Sequence, residues 1–329
     1  HILARQEQYP RAIEALQQCL SLKSLPADAT KQSLYLLAQL QLASSDYQAA
    51  AASLEQWFSL EKNPAPAAHA LAGTVYAYLE AWPRAVRHLR QAIKRARQPD
   101  ENWYRQLLAV YYDSRQYQAA VDLLQQLITG SPDDKLYLLQ LSSVYHELGN
   151  DTRAVAVMEL AYLRGLLTLE TELLNLARYY LYVDLPYKAG QLLEQALHEG
   201  SIRPRAEHWR LLIDAWIRAR ETQRALAATQ RALDATRNTE LHLLQAQLLA
   251  GQEQWSGVIR AIEAAFSAGQ PDAPGKAHLL QGIAHYRLQQ FARAQAAFGR
   301  ARDFDDTRDQ AARWQKNLEA NRTLASREP

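Results

Sequence analysis

The apolar positions of this chain follow a helical rhythm, recurring three and four residues apart, and no stretch alternates apolar and polar residues as a half-buried strand does. A longer period is laid over that rhythm. A small residue sits early in a predicted helix, three residues after an aromatic and four before a larger, mostly apolar one. "YPRAIEAL" shows it at Tyr9, Ala12 and Leu16, "YQAAAASL" at Tyr47, Ala50 and Leu54, and "WPRAVRHL" at Trp82, Ala85 and Leu89. The small position recurs at Ala120, Ala154, Ala189, Ala225, Val258 and Ala294, with successive spacings along the chain of 38, 35, 35, 34, 35, 36, 33 and 36.

A second column has the same period. Tyr76, Tyr111, Tyr145, Tyr180 and Trp216 each stand nine residues before a small position. That distance puts them on the preceding helix, facing the same seam. Two helices joined by a short turn therefore form each unit, an A helix carrying the aromatic and a B helix carrying the small residue. Pro10 and Pro83 fall in the first turn of a B helix, where the missing N–H costs nothing. Gly149 and Asn150 mark an A-to-B turn. One such unit cannot bury its own apolar face, so neighbours must stack.

A helix pair repeating every 34 residues or so resembles the tetratricopeptide repeat (TPR). The resemblance implies an all-α, right-handed superhelical solenoid of about eight and a half repeats with a C-terminal capping helix. The repeats fall at 31–64, 66–99, 101–133, 135–168, 170–203, 206–238, 239–272 and 275–305, with a half repeat at 1–24. Residues 306–329 hold the cap, an amphipathic helix with Ala311, Trp314 and Leu318 inward, and an end that should fray.

Composition sharpens the picture in two places. Alanine, leucine, glutamine and arginine dominate, which favours helix, while Gly and Pro number only 12 each. Tyr (17) and Trp (7) outnumber Phe (5), and a ring with a polar handle suits half-buried seams between helices. The formal net charge of +2 supplies no global field toward nucleic acid or an acidic membrane, and no apolar run is long enough to span a bilayer. The lone Cys19 excludes an intramolecular disulfide and falls in a small core position of its helix.

Catalytic signatures are missing: there is no phosphate loop, dinucleotide fingerprint or nucleophile elbow. His146 in "YHELG" starts like a zinc-protease helix but lacks the second histidine. His278 and His285 share a helix face without a third ligand, so packing or surface roles are expected and no metal or other cofactor is. The chain therefore reads as a non-enzyme that binds proteins or extended peptides.

In a TPR array, A-helix side chains one step off the core line an inner groove. Here these are Asn102, Arg105, Tyr112, Ser143 and His146, then Asn175, Arg178 and Tyr182, then Arg210, Asp214 and Arg218. Arg and Tyr are enriched where binding energy concentrates. The Lys–Asn–Asn–Lys–Arg pattern with which some TPRs grip a C-terminal carboxylate is not reproduced. A secondary candidate is the basic run Arg84, Arg87, Arg90, Lys94, Arg95 and Arg97 on a B helix. It reads first as a solvated face, and otherwise as a contact for phosphates or an acidic partner. Without interleaved aromatics it does not resemble a single-strand nucleic-acid platform.

Several segments also resemble a narrower family, the TPR protein encoded beside ExbB, ExbD and TonB in proteobacterial energy-transduction systems. "LPADATKQSLYLLAQLQLASSDYQAAAASLEQWF" and "LLNLARYYLYVDLPYKAGQLLEQAL" carry the likeness. So do "ENWYRQLLAVYYDSRQYQAAVDLLQQLI" and "HLLQGIAHYRLQQFARAQAAFGRA". "ENWY" at 101–104 and "VDLPYKA" at 183–189 are not demanded by the generic repeat. The likeness implies a periplasmic scaffold supporting a TonB-type motor, with no catalytic residues to carry over. The sequence opens on His1, so the native start is expected upstream, with room there for a signal peptide. Three readings stay open: the TonB-type accessory, a general peptide-binding adaptor or assembly factor for envelope or surface-polymer machinery, and a binder of RNA or an acidic partner through the basic run.

Overall fold

The computed structural model describes residues 9–22, 25–236, 240–269 and 271–325. Expectations that fall on 1–8, 23–24, 237–239, 270 and 326–329, which touch the half repeat, two repeat junctions and the end of the tail, lie outside the described residues. Among the described residues there are eighteen helices and no strand.

The chain divides into two compact units, 1–157 and 158–329. The first holds α1 (Tyr9–Ser21) and three A/B pairs: α2 (Ala27–Ala43) with α3 (Tyr47–Leu60), α4 (Pro66–Tyr78) with α5 (Trp82–Arg95), and α6 (Glu101–Asp113) with α7 (Tyr117–Gly130). It continues with α8 (Lys135–Glu147) and ends within α9 (Asp151–Leu163). The second holds α10 (Glu170–Tyr182) with α11 (Pro186–Glu199), and α12 (Ala206–Arg218) with α13 (Thr222–Thr236). After them come α14 (Glu240–Gly251) with α15 (Trp255–Ala268), α16 (Pro274–Arg287) with α17 (Phe291–Ala301), and the cap α18 (Arg308–Ala325). The first A helix begins at Ala27, four residues ahead of the boundary expected from the repeat.

Both sequence columns are core. All nine small positions are buried, from Ala12 to Ala294, and so are Tyr76, Tyr111, Tyr145, Tyr180 and Trp216. The aromatic column extends to polar residues that periodicity alone does not reveal. Gln41 is buried there and accepts from Ser53 Oγ at 2.7 Å, and His285 is buried at the equivalent place. The cap seals the last repeat as expected: Ala311 and Leu318 are buried, and the Trp314 ring stacks on Phe298 at 5.7 Å. Cys19 departs from expectation. It is only half-buried, because α1 has α2 as its main neighbour among the described residues and leaves its other flank open.

The A-to-B turns share one geometry. Ser45, Glu80, Arg115, Gly149, Asp184, Arg220, Glu253 and Gln289 all lie at positive φ, between 54° and 69°. Each ends its A helix with a left-handed residue, and the next N–H returns to the carbonyl of the aromatic column: Ala81 to Tyr76 (2.9 Å), Gln116 to Tyr111 (2.7 Å), Asn150 to Tyr145 (2.8 Å). These bonds satisfy carbonyls that a helix end otherwise leaves orphaned. Only one of the eight positions is glycine, so the turn signal at Gly149 is legible in sequence and the other seven are not.

Neighbouring repeats are tied by side chains that cover the aromatic column. The Tyr76 hydroxyl donates to Glu55 of the preceding B helix at 3.1 Å, Arg84 pairs with the same carboxylate at 2.8 Å, and its guanidinium lies over the ring at 5.3 Å. The device recurs in the second unit. Lys188 pairs with Glu159 and sits 5.8 Å from the Tyr180 ring, and Arg224 covers Trp216 at 4.6 Å while approaching Glu194. Burial, with Glu159 adding to it, holds the Tyr180 hydroxyl protonated well above the usual tyrosine range.

All six cations of the basic run are exposed, but some of them also have partners. Arg90 is not merely solvated: its Nε donates to the Tyr111 hydroxyl at 2.7 Å. Arg84 is clamped as described, and Arg95 bonds to Asn63. Arg87, Lys94 and Arg97 alone of the run have no bonded partner among the described residues.

Candidate functional site

The A-helix face of the first unit contains a cleft of about 260 Å³ between α6 and α8, floored by α7. Its walls follow from helix periodicity. Arg105, Leu108, Ala109 and Tyr112 lie three to four residues apart on α6, and Gln140, Ser143 and Val144 do the same on α8. Ala120 and Leu124 of α7 close the bottom. The small position thus has a second consequence. By keeping α7 close and short of side chain, Ala120 leaves an apolar hollow beneath a polar rim.

Caps and ion pairs fix the rim. Asp100 accepts from the Asn102 N–H at 2.9 Å, and Asp134 accepts from Leu136 and Tyr137, so both A helices start at defined residues. Glu101 holds Arg105 one turn on, and Tyr137 donates to the same carboxylate at 3.5 Å. The Tyr112 hydroxyl donates to Glu147 at 2.9 Å, and that carboxylate pushes the hydroxyl's pKa upward. Tyr117 shares the acceptor at 3.3 Å and meets the Tyr112 ring edge-on. In the wall, Gln140 Oε1 is buried without a hydrogen-bond partner. Such a cleft admits one large side chain of a passing segment and offers it an unsatisfied acceptor.

Every groove residue expected from sequence is exposed on an A helix. The structure brings Arg105, Tyr112 and Ser143 together around the cleft. Asn102 and His146 lie on the same two helices but do not line it, and His146 is instead bonded to Asp151 at 2.6 Å. In the second unit, Asn175, Arg178 and Tyr182 form a stripe on α10 and Arg210, Asp214 and Arg218 another on α12. Arg218 serves the stack, donating to the Leu181 carbonyl at 2.7 Å, and Arg210 lies 3.8 Å from Glu240. Asn175, Arg178 and Asp214 remain without partners among the described residues. Sequence reasoning missed Gln140 and Asp113 at the cleft. Gln140 stands three residues before Ser143, and that spacing is the signal that could have found it.

The residues outside the generic repeat have structural work. Glu101 of "ENWY" orients Arg105. In "VDLPYKA", Asp184 is a left-handed turn residue, Tyr187 packs edge-on against Trp216 at 5.5 Å, and Lys188 is the clamp to Glu159. No three-residue metal cluster exists among the described residues, and no described helix is long and apolar enough to cross a membrane.

Comparison with known proteins agrees with this architecture. A tetratricopeptide-repeat family model matches residues 1–64 and 105–165. Searched against curated proteins, the sequence finds no match. Among solved structures, a chain of Naa15/Naa10 bound to HypK-THB aligns over 98% of this chain at 14% identity, with a TM-score of 0.50. The present chain spans 60% of that neighbour's length. YrrB, a TPR protein with an unusual peptide-binding site, aligns over 59% of this chain and 97% of its own at 16% identity, with a TM-score of 0.43. The TPR2AB domain of yeast Sti1 aligns over 80% of this chain and 98% of its own at 16% identity, with a TM-score of 0.38. At its identity the likeness to the Naa15/Naa10 chain concerns fold alone. With its two buried columns, its helix pairs and the matched segments, the chain has the all-α solenoid fold of tetratricopeptide repeats.

Proposed function

We propose that the protein is a non-catalytic scaffold that binds an extended segment of a protein partner along its A helices, with the α6–α8 cleft as the anchoring point. The observation that carries this reading is the cleft itself. An apolar floor lies under Arg105, Tyr112 and Ser143, and Gln140 Oε1 stands unsatisfied in its wall. Arginine and tyrosine at the edge of a desolvated hollow are the usual composition of a binding hot spot. The stripes on α10 and α12 extend the candidate surface within the second unit.

The finer reading is an accessory of a TonB–ExbB–ExbD type energy-transduction system, working in the periplasm. Its support is the likeness of four sequence segments, including "ENWY" and "VDLPYKA", to the TPR protein of such systems. Titration of the purified periplasmic segments of TonB and ExbD onto the full chain tests it, with Arg105→Ala/Tyr112→Ala as the control. Binding lost in that variant supports both readings. Capture of a different envelope protein through the same cleft keeps the scaffold and removes the TonB assignment.

A further inference from the structure

In the repeats of Ala120 and Ala294, the three A-helix positions 16, 13 and 9 residues before the small position line a cleft between successive B helices. In the repeat of Ala120 they are Tyr104, Leu107 and Tyr111. In the repeat of Ala189 they are Leu173, Leu176 and Tyr180, all buried. Apolar bodies fill the seam in both. In the repeat of Ala294 the same positions carry His278, Gln281 and His285, which are 9%, 9% and 6% exposed.

The substitution leaves polar atoms without partners. His278 Nδ1 and Gln281 Oε1 are buried without a partner of good hydrogen-bond geometry. They are close enough for Gln281 to favour a protonated ring, but burial is the larger influence and pushes the His278 pKa down. The His278 ring is held by stacking on Phe266 at 4.5 Å, and His285 by Gln290 at 2.7 Å. Opposite them, α17 presents Arg293 and Arg300, seven residues apart on one face and without ion pairs among the described residues. Between these arginines stand Ala296 and Ala297, where the earlier repeat has Asp122 and Leu123. The cleft measures about 790 Å³, against about 480 Å³ at Tyr104.

From this geometry we infer that the B-helix cleft over α16 is a second binding site, separate from the A-helix cleft, for a carboxylate-bearing peptide segment. Arginine forks match a carboxylate. The lining charges are Arg293, Arg300 and Glu263, with the Asp303 carboxylate also acting on His278, so the cleft holds no excess of positive charge for a phosphate dianion. Gln281 and His278 are left to bond the polar backbone beside that carboxylate. The carboxylate belongs either to a chain terminus or to an acidic side chain.

The test uses the full chain labelled with ¹⁵N at histidine, at pH 7.5, observing the imidazole resonances of His278 and His285. The probes are acetyl-Ala-Ala-Leu with a free carboxylate, the same peptide amidated, acetyl-Ala-Glu-Leu amide, and inorganic phosphate. Both resonances should move with one of the carboxylate peptides, the free acid pointing to a chain terminus and the glutamyl amide to a side chain. The fully amidated peptide should bind at least about tenfold more weakly. Arg293→Gln/Arg300→Gln should lose at least about tenfold in affinity with an unchanged thermal melt, since both side chains are exposed. Silent resonances with every peptide, equal shifts with the amidated one, retained affinity in the double variant, or tighter binding of phosphate would each overturn the assignment.

Discussion

Arg90 and Tyr111 meet twice. The guanidinium donates to the hydroxyl at 2.7 Å and lies over the same ring with its carbon 5.7 Å from the centroid. Arg90 belongs to one repeat and Tyr111 to the next, so the pair is a stitch in the stack. Arg84 and Glu55 make the equivalent stitch one repeat earlier with the charges exchanged: there the preceding B helix supplies the acid and the covering cation comes from the following one.

The stitch changes what substitution should do. Arg90→Ala removes a charge-assisted hydrogen bond and a ring contact, and should destabilise the first unit by about 1–2 kcal/mol. Arg87→Ala, on the same helix without a partner, should stay within about 0.5 kcal/mol. Ala120→Leu forces a large side chain into a position that is 1% exposed and should cost at least about 1–3 kcal/mol. Urea melts of the three variants rank them, and equal midpoints for Arg90→Ala and Arg87→Ala would remove the stitch.

The turn geometry gives a second prediction. Gly149 sits at φ 69° with open space around its α-carbon, so Gly149→Ala meets backbone strain and no clash. It should destabilise by about 1 kcal/mol. Glu80 occupies the equivalent position at φ 54°, and Glu80→Gly relieves that strain while adding chain entropy to the unfolded state. Its stability should change by less than about 1 kcal/mol and never in parallel with Gly149→Ala. Thermal melts of the two variants check the sign and the size.

How much of this was legible beforehand depends on what a period can carry. The small and aromatic columns need only residue size at a fixed spacing, so Ala12 to Ala294 and Tyr76 to Trp216 were readable one by one. The turns were not, because Ser45, Arg115 or Gln289 enters the left-handed region under tertiary constraint, with no local preference to announce it. Arg90 looked solvated for a related reason. Its partner is 21 residues away on another helix, and charge runs say nothing about distant hydroxyls. At the cleft, exposure of Arg105 and Tyr112 followed from helix phase. That they close around a hollow with Gln140 depends on how far apart α6 and α8 stack, which is a matter of packing.

Acid should loosen the first unit. His69 and His88 stand with their Nδ1 atoms 3.1 Å apart, packed against Phe58 and Tyr76 and close to Arg84, Arg87 and Arg95. Burial first, then the neighbouring imidazole and the arginines, lowers the His88 pKa to about 4, and His69 is lowered by the same kind of causes. An unfolded chain takes up these protons near pH 6.5 and the folded chain does not. Stability from the pair is therefore whole above about pH 6.5 and falls as pH drops toward 4. Urea midpoints at pH 7.5 and pH 5 should differ, and His88→Gln should shrink that difference. An unchanged difference would place the acid sensitivity elsewhere.

Function turns on which face carries the partner. Arg105→Ala/Tyr112→Ala strips the rim of the α6–α8 cleft, and Arg178→Ala/Tyr182→Ala strips the α10 stripe. All four side chains are exposed and lie outside the buried columns; the stripe variant should melt close to the parent, while the cleft variant, which also loses the Tyr112–Glu147 hydrogen bond and the Arg105–Glu101 pair, should lose about 1 kcal/mol. An anchor at an interface typically contributes about 1–2 kcal/mol or more, so a true anchor pair should weaken binding by roughly tenfold or more. The cleft pair has an apolar hollow beneath it, so the cleft variant should lose more. The competing face is the unpaired remainder of the basic run. Arg87→Ala/Lys94→Ala there should act mainly through long-range charge, and any loss it causes should fade as salt rises past physiological strength. Recovery of partner from an envelope extract by each double variant, at low and at physiological salt, separates the three. Loss confined to the cleft variant and insensitive to salt supports an A-helix anchor. Undiminished recovery by the cleft variant with salt-sensitive loss in the basic one would move the partner to the B helices.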